Sequence, residues 1–225
     1  VEVLGTHAQK LTPEERKNMG VVLAESGFSN YLNIEALRKI LAALYEDFDE
    51  SFFNRFVSEQ GLPEKKKIKE FSTGMKAKLR LIAAFSHKAK LLILDEPMQG
   101  LDVLARNEIL DILREYTVQD DQRSILISSH ISSDLEGLCD DIYMIHHGQV
   151  VLHQDTDVVL GSYGVLKVSD EMFRDLDQTY ILKSKKTNYG YECLTNERQY
   201  YREQYPQIVI ENGSIDDLIV MIAGE

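Results

Sequence analysis

Leu91-Leu92-Ile93-Leu94-Asp95-Glu96-Pro97 decides the fold: four consecutive apolar residues run straight into two carboxylates and a proline. A short unbroken apolar run with a polar exit fits a strand buried on both faces. Working outward, 18–23 reads as another buried strand, 104–117 as a helix, 124–128 as a third apolar strand and 133–138 as a short helix. Strands alternating with helices predict a parallel sheet with helices on both faces. In such sheets ligands bind at the carboxyl ends of the strands, which is where Asp95 and Glu96 fall. Magnesium takes hard oxygen ligands and few protein contacts, so one carboxylate suits that ion and the other can orient a water for attack.

The whole chain sets limits on this reading. Its 225 residues are 44% hydrophobic and 28% charged, the composition of a globular chain able to build a sizeable core. Asp plus Glu number 37 against 25 Lys plus Arg, a net charge of −12 that repels a phosphate backbone, so nucleic acid is not an expected partner. Cys139 and Cys193 form no CxxC and suggest neither a disulfide framework nor a zinc site. The longest apolar run, 218–223, is far short of the roughly 20 residues of a spanning helix. Val1-Glu2-Val3-Leu4-Gly5 reads as a strand already under way, which predicts a piece of something longer.

Between the first strand and Leu91 the pattern is helical. Apolar positions Leu37, Ile40, Leu41, Leu44, Tyr45 and Phe48 share a face behind an N-cap at Asn33, and a second amphipathic piece spans 52–57. Phe71-Ser72-Thr73-Gly74-Met75 then puts a hydroxyl and a glycine at a helix start, where unpaired N–H groups and the positive dipole end favour an anion. Plain capping by Ser72 is the alternative. Gly100-Leu101-Asp102 follows the carboxylate pair, and Ser128-Ser129-His130 ends the next strand, which predicts His130 on the same sheet edge as Glu96.

Beyond a hairpin with strands over 142–145 and 150–153 and Gly148 in its turn, the order becomes strand 165–168, helix 170–176, strands 179–184 and 189–194, helix 196–204, strand 207–210 and helix 214–222. This βαββαβα order predicts a small C-terminal α+β module of the split βαβ, ferredoxin-like kind.

Four motifs in this order, 71–75, 91–97, 100–102 and His130, resemble the signature motif, Walker B strand, D-loop and switch histidine of ABC transporter ATPases. The resemblance covers about 1–153, and the region 20–25 with the helices after it looks like that family's Q-loop and helical subdomain, about 26–90. The form of 71–75 and the C-terminal extension resemble the bacterial subfamily that exports drugs, bacteriocins or lipids. The resemblance implies an α/β P-loop NTPase sheet over 1–153 with the accessory module over 154–225. It implies ATP and Mg2+ as cofactors, with Asp95 supporting the metal, Glu96 as general base and His130 contacting the γ-phosphate. Ser72 and Gly74 would grip the γ-phosphate of a nucleotide held by a second copy of the domain, and Asp102 would reach across the same dimer interface. The Q-loop place falls near Ala24 or Glu25, and Glu25 is the choice that keeps an oxygen for metal or water. A membrane-spanning permease is implied as partner, with the chain at the cytoplasmic side of the membrane.

Some features depart from the family. Thr73 and Met75 stand where Gly and Gln are common, and Met98-Gln99 replaces a small polar pair. No G-x-x-x-x-G-K-[ST] occurs in these 225 residues. That loop cradles the β- and γ-phosphates, so it is expected upstream of Val1, and the chain without it is expected to be inactive. The rival reading is a non-catalytic regulatory module on the same scaffold; retention of Asp95, Glu96 and His130 argues against it. Other features read as structural. Lys65-Lys66-Lys67 is a solvated loop, His146 and His147 point to opposite faces of a hairpin, and Ser214-Ile215-Asp216-Asp217 is a helix start. The five tyrosines between 189 and 205 pack, since 154–225 carries 13 acidic against 7 basic side chains and does not invite bases to stack.

Overall fold

The computed structural model describes residues 1–24, 27–118 and 120–224. The chain divides into two compact units, Val1–His130 and Ile131–Glu225. The expected boundary lay at 153; the compact boundary falls earlier, and the hairpin groups with the second unit.

The first unit opens with β1 (Glu2–Val3) and β2 (Thr6–His7), a two-residue hairpin rather than one continuing strand. Leu4 and Gly5 at φ 50° and 81° make the turn, a backbone that Gly adopts without cost. Helix α1 (Pro13–Arg16) follows behind a full capping box between Thr12 and Glu15. The sheet is β3 (Met19–Val22), β4 (Leu91–Asp95) and β5 (Ser124–Ser128), parallel throughout in the order β3-β4-β5. Its register pairs Val22 with Leu94 and Asp95 with Ser128.

Helix α2 (Ile34–Leu44) starts at Asn33, whose side chain accepts from the Ala36 N–H, and α3 (Glu50–Glu59) starts at Asp49 in the same way. Helix α4 (Thr73–Phe85) buries Leu79, Leu81 and Ile82 completely, and α5 (Val103–Val118) buries Ile109, Leu113 and Tyr116. Gly20 explains how closely α4 lies on β3: a Cβ there would sit 2.6 Å from Leu92 Cδ2 and 2.8 Å from the Ala84 carbonyl. Val22, Leu92 and Leu94 are buried, whereas Val21 and Leu126 on the alternate face are 50% and 60% exposed, so cover on both faces is not complete here.

The second unit contains α6 (Ser132–Glu136), the antiparallel hairpin β6 (Asp141–His146) and β7 (Gln149–Asp155), and α7 (Thr156–Ser162), a helix the sequence pattern did not announce. Strands β8 (Gly164–Val168), β9 (Ile181–Thr187), β10 (Gly190–Thr195) and β11 (Val209–Asn212) form one antiparallel sheet in the order β11-β8-β10-β9. With α8 (Asp170–Asp175) between β8 and β9 and α9 (Arg198–Gln204) between β10 and β11, that is the expected split βαβ arrangement, closed by α10 (Ile215–Ala223).

Two apolar clusters hold this unit. One joins Ile142, Val159, Val165 and Leu194 with Leu218 and Met221; the other joins Leu166, Cys193, Tyr201 and Ile208. Four of the five tyrosines pack, whereas Tyr189 is 94% exposed; Tyr200 donates to the Asp177 carboxylate at 2.7 Å and Tyr201 to the Asp177 carbonyl at 2.6 Å. Bonding to that carboxylate pushes the Tyr200 phenol up to about 12. His147 lies in the hairpin turn at φ 48°, so its ring comes to 4.0 Å from that of His146 instead of pointing to the opposite face.

Candidate functional site

Strand β4 carries Asp95 to the carboxyl edge of the sheet, and the chain then bends sharply. Glu96 has φ 47°, a left-handed backbone that costs a non-glycine residue about 1–3 kcal/mol and persists only where the surroundings fix it. Ser128 at the end of β5 does the fixing. The Glu96 N–H donates to both the carbonyl and the hydroxyl oxygen of Ser128, at 3.2 and 3.0 Å. The Ser128 hydroxyl in turn donates to Asp95 Oδ1 at 2.8 Å. Two residues on, His130 Nδ1 lies 2.7 Å from Glu96 Oε2. A carboxylate only accepts, so the Nδ1 proton donates and Nε2 is left facing away from Glu96. Asp95, Glu96 and His130 therefore form one connected group, as their shared edge predicts. Ser128 was only a strand terminus in the sequence reading, and its bridging role depends on the β4–β5 register.

A second cluster forms where α4 and α5 begin. Ser72 Oγ accepts from the Met75 N–H at 3.2 Å, and Asp102 Oδ1 accepts from the Ala105 N–H at 2.9 Å. A Cβ on Gly74 would stand 3.3 Å from Ala105 Cβ, so a small residue lets the two helix starts meet. Gly100 at φ 73° supports the turn between Glu96 and α5, and Met98 is buried beneath it. Ser72, Gly74 and Asp102 line an open cleft of about 470 Å³ together with Lys78 and Glu108. Lys78 is nearly buried and pairs with Glu108 at 2.5 Å, a link across α4 and α5 that the sequence reading missed. Two helix N-termini on one cleft leave N–H donors and positive dipole ends there, the chemistry of an anion site. Glu25 lies outside the described residues.

The residues fit the expected ligands in kind. Among the described residues no three His, Cys, Asp or Glu side chains gather as a metal site. One exposed carboxylate at Asp95 suits an ion that takes its remaining ligands from phosphate and water, as magnesium does.

Comparison with known proteins gives the family of this chain. Residues 16–133, just over half of the chain, match a family model described as "AAA domain, putative AbiEii toxin, Type IV TA system". The ABC transporter ATP-binding protein YtrB of Bacillus subtilis is 30% identical over 154 residues, 68% of this chain and 52% of that protein. The chain belongs to the ABC transporter ATP-binding protein family and carries the matched AAA domain. The bacitracin transport ATP-binding protein BcrA of Enterococcus faecalis is 34% identical over 154 residues, 67% of this chain and 49% of that protein. A solved structure of the ATP-binding subunit of an ABC transporter superposes with a TM-score of 0.57 at 25% identity, covering 69% of this chain and 66% of that one. The chain spans about half the length of the curated relatives it matches. Its first unit has the parallel α/β sheet of an ABC ATPase, and no described helix is long and apolar enough to cross a membrane.

Proposed function

We propose that the chain is the catalytic-edge part of an ATP-hydrolysing subunit that powers a membrane ABC exporter through ATP-driven pairing of two ATPase domains. The observation that carries this reading is the Asp95–Glu96–His130 group: a carboxylate held in strained backbone by Ser128, with His130 hydrogen-bonded to it at 2.7 Å. Preorganised groups of this kind suit phosphoryl transfer, where catalysis is mostly positioning and charge stabilisation. Asp95 would hold Mg2+, which supplies charge neutralisation at the phosphates. Glu96 positions and deprotonates the attacking water, and His130 orients Glu96 while presenting Nε2 toward the nucleotide. Ser72 and Gly74 offer the anion cleft to the γ-phosphate of the partner copy's ATP, and Asp102 sits beside them at the same interface. Glu25 is proposed for the Q-loop place.

On this reading the cradle for the nucleotide's own β- and γ-phosphates belongs to a segment outside these 225 residues, and the chain by itself does not turn over ATP. The permease partner, a location against the inner face of the membrane, and an accessory role for the ferredoxin-like module belong to the same proposal. The names of the bacitracin and lantibiotic transport relatives support the exporter class. The test is Glu96→Gln in the natural full-length protein. Loss of a general base costs about 100- to 10,000-fold, so turnover should collapse while ATP still binds. Turnover at the wild-type rate would reduce Glu96 to a structural carboxylate and overturn the reading.

A further inference from the structure

Helix α4 lies antiparallel along β3, and its contacts can be followed residue by residue. Past the end of the helix, His87 Nε2 meets the Met19 carbonyl at 3.1 Å. One turn earlier Ala84 is pressed against Gly20, where no Cβ fits. One turn earlier again Arg80 Nη1 donates to the carbonyls of Leu23 and Ala24, at 3.2 and 3.1 Å. As the helix runs backward the strand runs forward, and Arg80 closes the ladder at the point where β3 ends.

That point is functionally placed. Val22 pairs with Leu94 in parallel register, so Leu23 and Ala24 leave the sheet alongside Asp95 and Glu96. Ser72 caps the same helix eight residues before Arg80, about 12 Å away at 1.5 Å per residue. One helix therefore carries the anion cleft at its start and a two-carbonyl grip on the carboxylate edge two turns later. Among the described residues β3 has a hydrogen-bonded neighbour only in β4, so the grip fixes the exit of an edge strand. A guanidinium fits that task because it presents several donors in one rigid plane.

We propose that Arg80 is a positioning residue for ATP hydrolysis, setting the register of α4 against the exit of β3 so that the Ser72–Gly74 cleft and the Asp95–Glu96 edge keep a fixed spacing. This rests on the ATPase reading above. Arg80 acts through the backbone at Leu23 and Ala24.

The test compares Arg80→Met, which keeps the stem and removes the donors, with Arg80→Lys, which keeps a charge and a reduced donor set, in the natural full-length protein. Arg80→Met should lower kcat about tenfold per folded molecule with the KM for ATP within about twofold, and Arg80→Lys should recover part of the loss. In the 225-residue chain, hydrogen exchange over 19–24 should quicken in Arg80→Met while α5 keeps its protection. Wild-type kcat in Arg80→Met overturns the proposal, and so does a loss in both variants that merely follows the fraction of unfolded protein. Should Arg80→Met not fold, Arg80→Lys carries the test, with a severalfold fall in kcat at constant KM expected and wild-type kcat refuting. Glu96→Gln separates the two claims. If Glu96→Gln is inactive and the Arg80 variants are normal, only the Arg80 proposal falls; if Glu96→Gln turns over normally, the ATPase reading falls and takes this proposal with it.

Discussion

Ser128→Ala removes one hydroxyl that serves both carboxylate positions. The Ser128 Oγ donates to Asp95 Oδ1 at 2.8 Å and accepts from the Glu96 N–H at 3.0 Å. Hydrogen bonds to a charged group contribute about 1.5–3 kcal/mol when shielded, and Ser128 and Asp95 are both exposed, so about 1 kcal/mol is the fitting figure. The Glu96 N–H keeps the Ser128 carbonyl at 3.2 Å, so that loss is smaller, about 0.5 kcal/mol. Against this stands the left-handed Glu96 backbone, whose cost of about 1–3 kcal/mol the same contacts offset. With the hydroxyl gone Glu96 spends part of its time in relaxed conformations that point its carboxylate elsewhere. A loss near 1–1.4 kcal/mol in the transition state is about a five- to tenfold fall in turnover. The melting temperature should drop by about 2–4 °C. On the proposed ATPase reading, steady-state turnover of the natural protein and thermal melting of the chain measure the two effects, and Ser128→Thr, which keeps a hydroxyl, should stay near wild type. Turnover within twofold of wild type in Ser128→Ala would refute the reasoning, as would an equal loss in Ser128→Thr, which would point to crowding at the strand end.

Gly20→Ala should destabilise the first unit by about 1–3 kcal/mol, because its Cβ would overlap Leu92 and the Ala84 carbonyl; chemical denaturation reads this, and a change below about 0.5 kcal/mol would mean α4 is free to move off β3. Burial lowers the His87 pKa from 6.5, so the fold holds this ring neutral while the unfolded chain binds its proton more readily. That contribution is intact above about pH 6.5 and is lost as pH falls from there through the lower folded value. A His87→Gln variant should show a flatter loss of stability over that acid range, and an identical pH slope would show that other groups govern it.

What could be read from the sequence was local or periodic. Asn33 and Ser72 cap the helices that their positions announced, and the apolar run before Asp95 is a strand because nothing polar interrupts it. The order of the C-terminal elements was enough to anticipate the sheet order of the second unit. The pieces that escaped are set by partners far along the chain. Arg80 reaches carbonyls 56 and 57 positions away, and Arg198 grips those of Leu160, Gly161 and Tyr163 from 35 to 38 positions away. No spacing rule links an arginine to a carbonyl at that range. Helix α7 escaped for another reason: Val158 and Val159 are β-branched within an apolar run that reads as strand, and tertiary burial of Val159 against the hairpin and α10 favours the helix. Leu4-Gly5 carried a turn signal that the apolar flanks masked.

Capping and anion binding at Ser72 are often set against each other, but the geometry lets both hold. A serine hydroxyl has one proton and two lone pairs; accepting the Met75 N–H uses one lone pair and leaves the proton to donate outward. The remaining N–H groups of the first helical turn have no partner within their own helix and are available at the same helix start. Capping then leaves the anion site usable, because it holds the Ser72 oxygen at the helix start while its proton can still turn to a ligand. The same holds at Asp102, where one carboxylate oxygen takes the Ala105 N–H and the group keeps a second oxygen for a contact across an interface. Both helix starts meet at Gly74, so a side chain there would have to displace Ala105 before it disturbed either cap. On the proposed reading, the two residues of the cleft that look most ordinary, a serine and an aspartate capping their helices, are ordered for a partner by the very bonds that make them look ordinary.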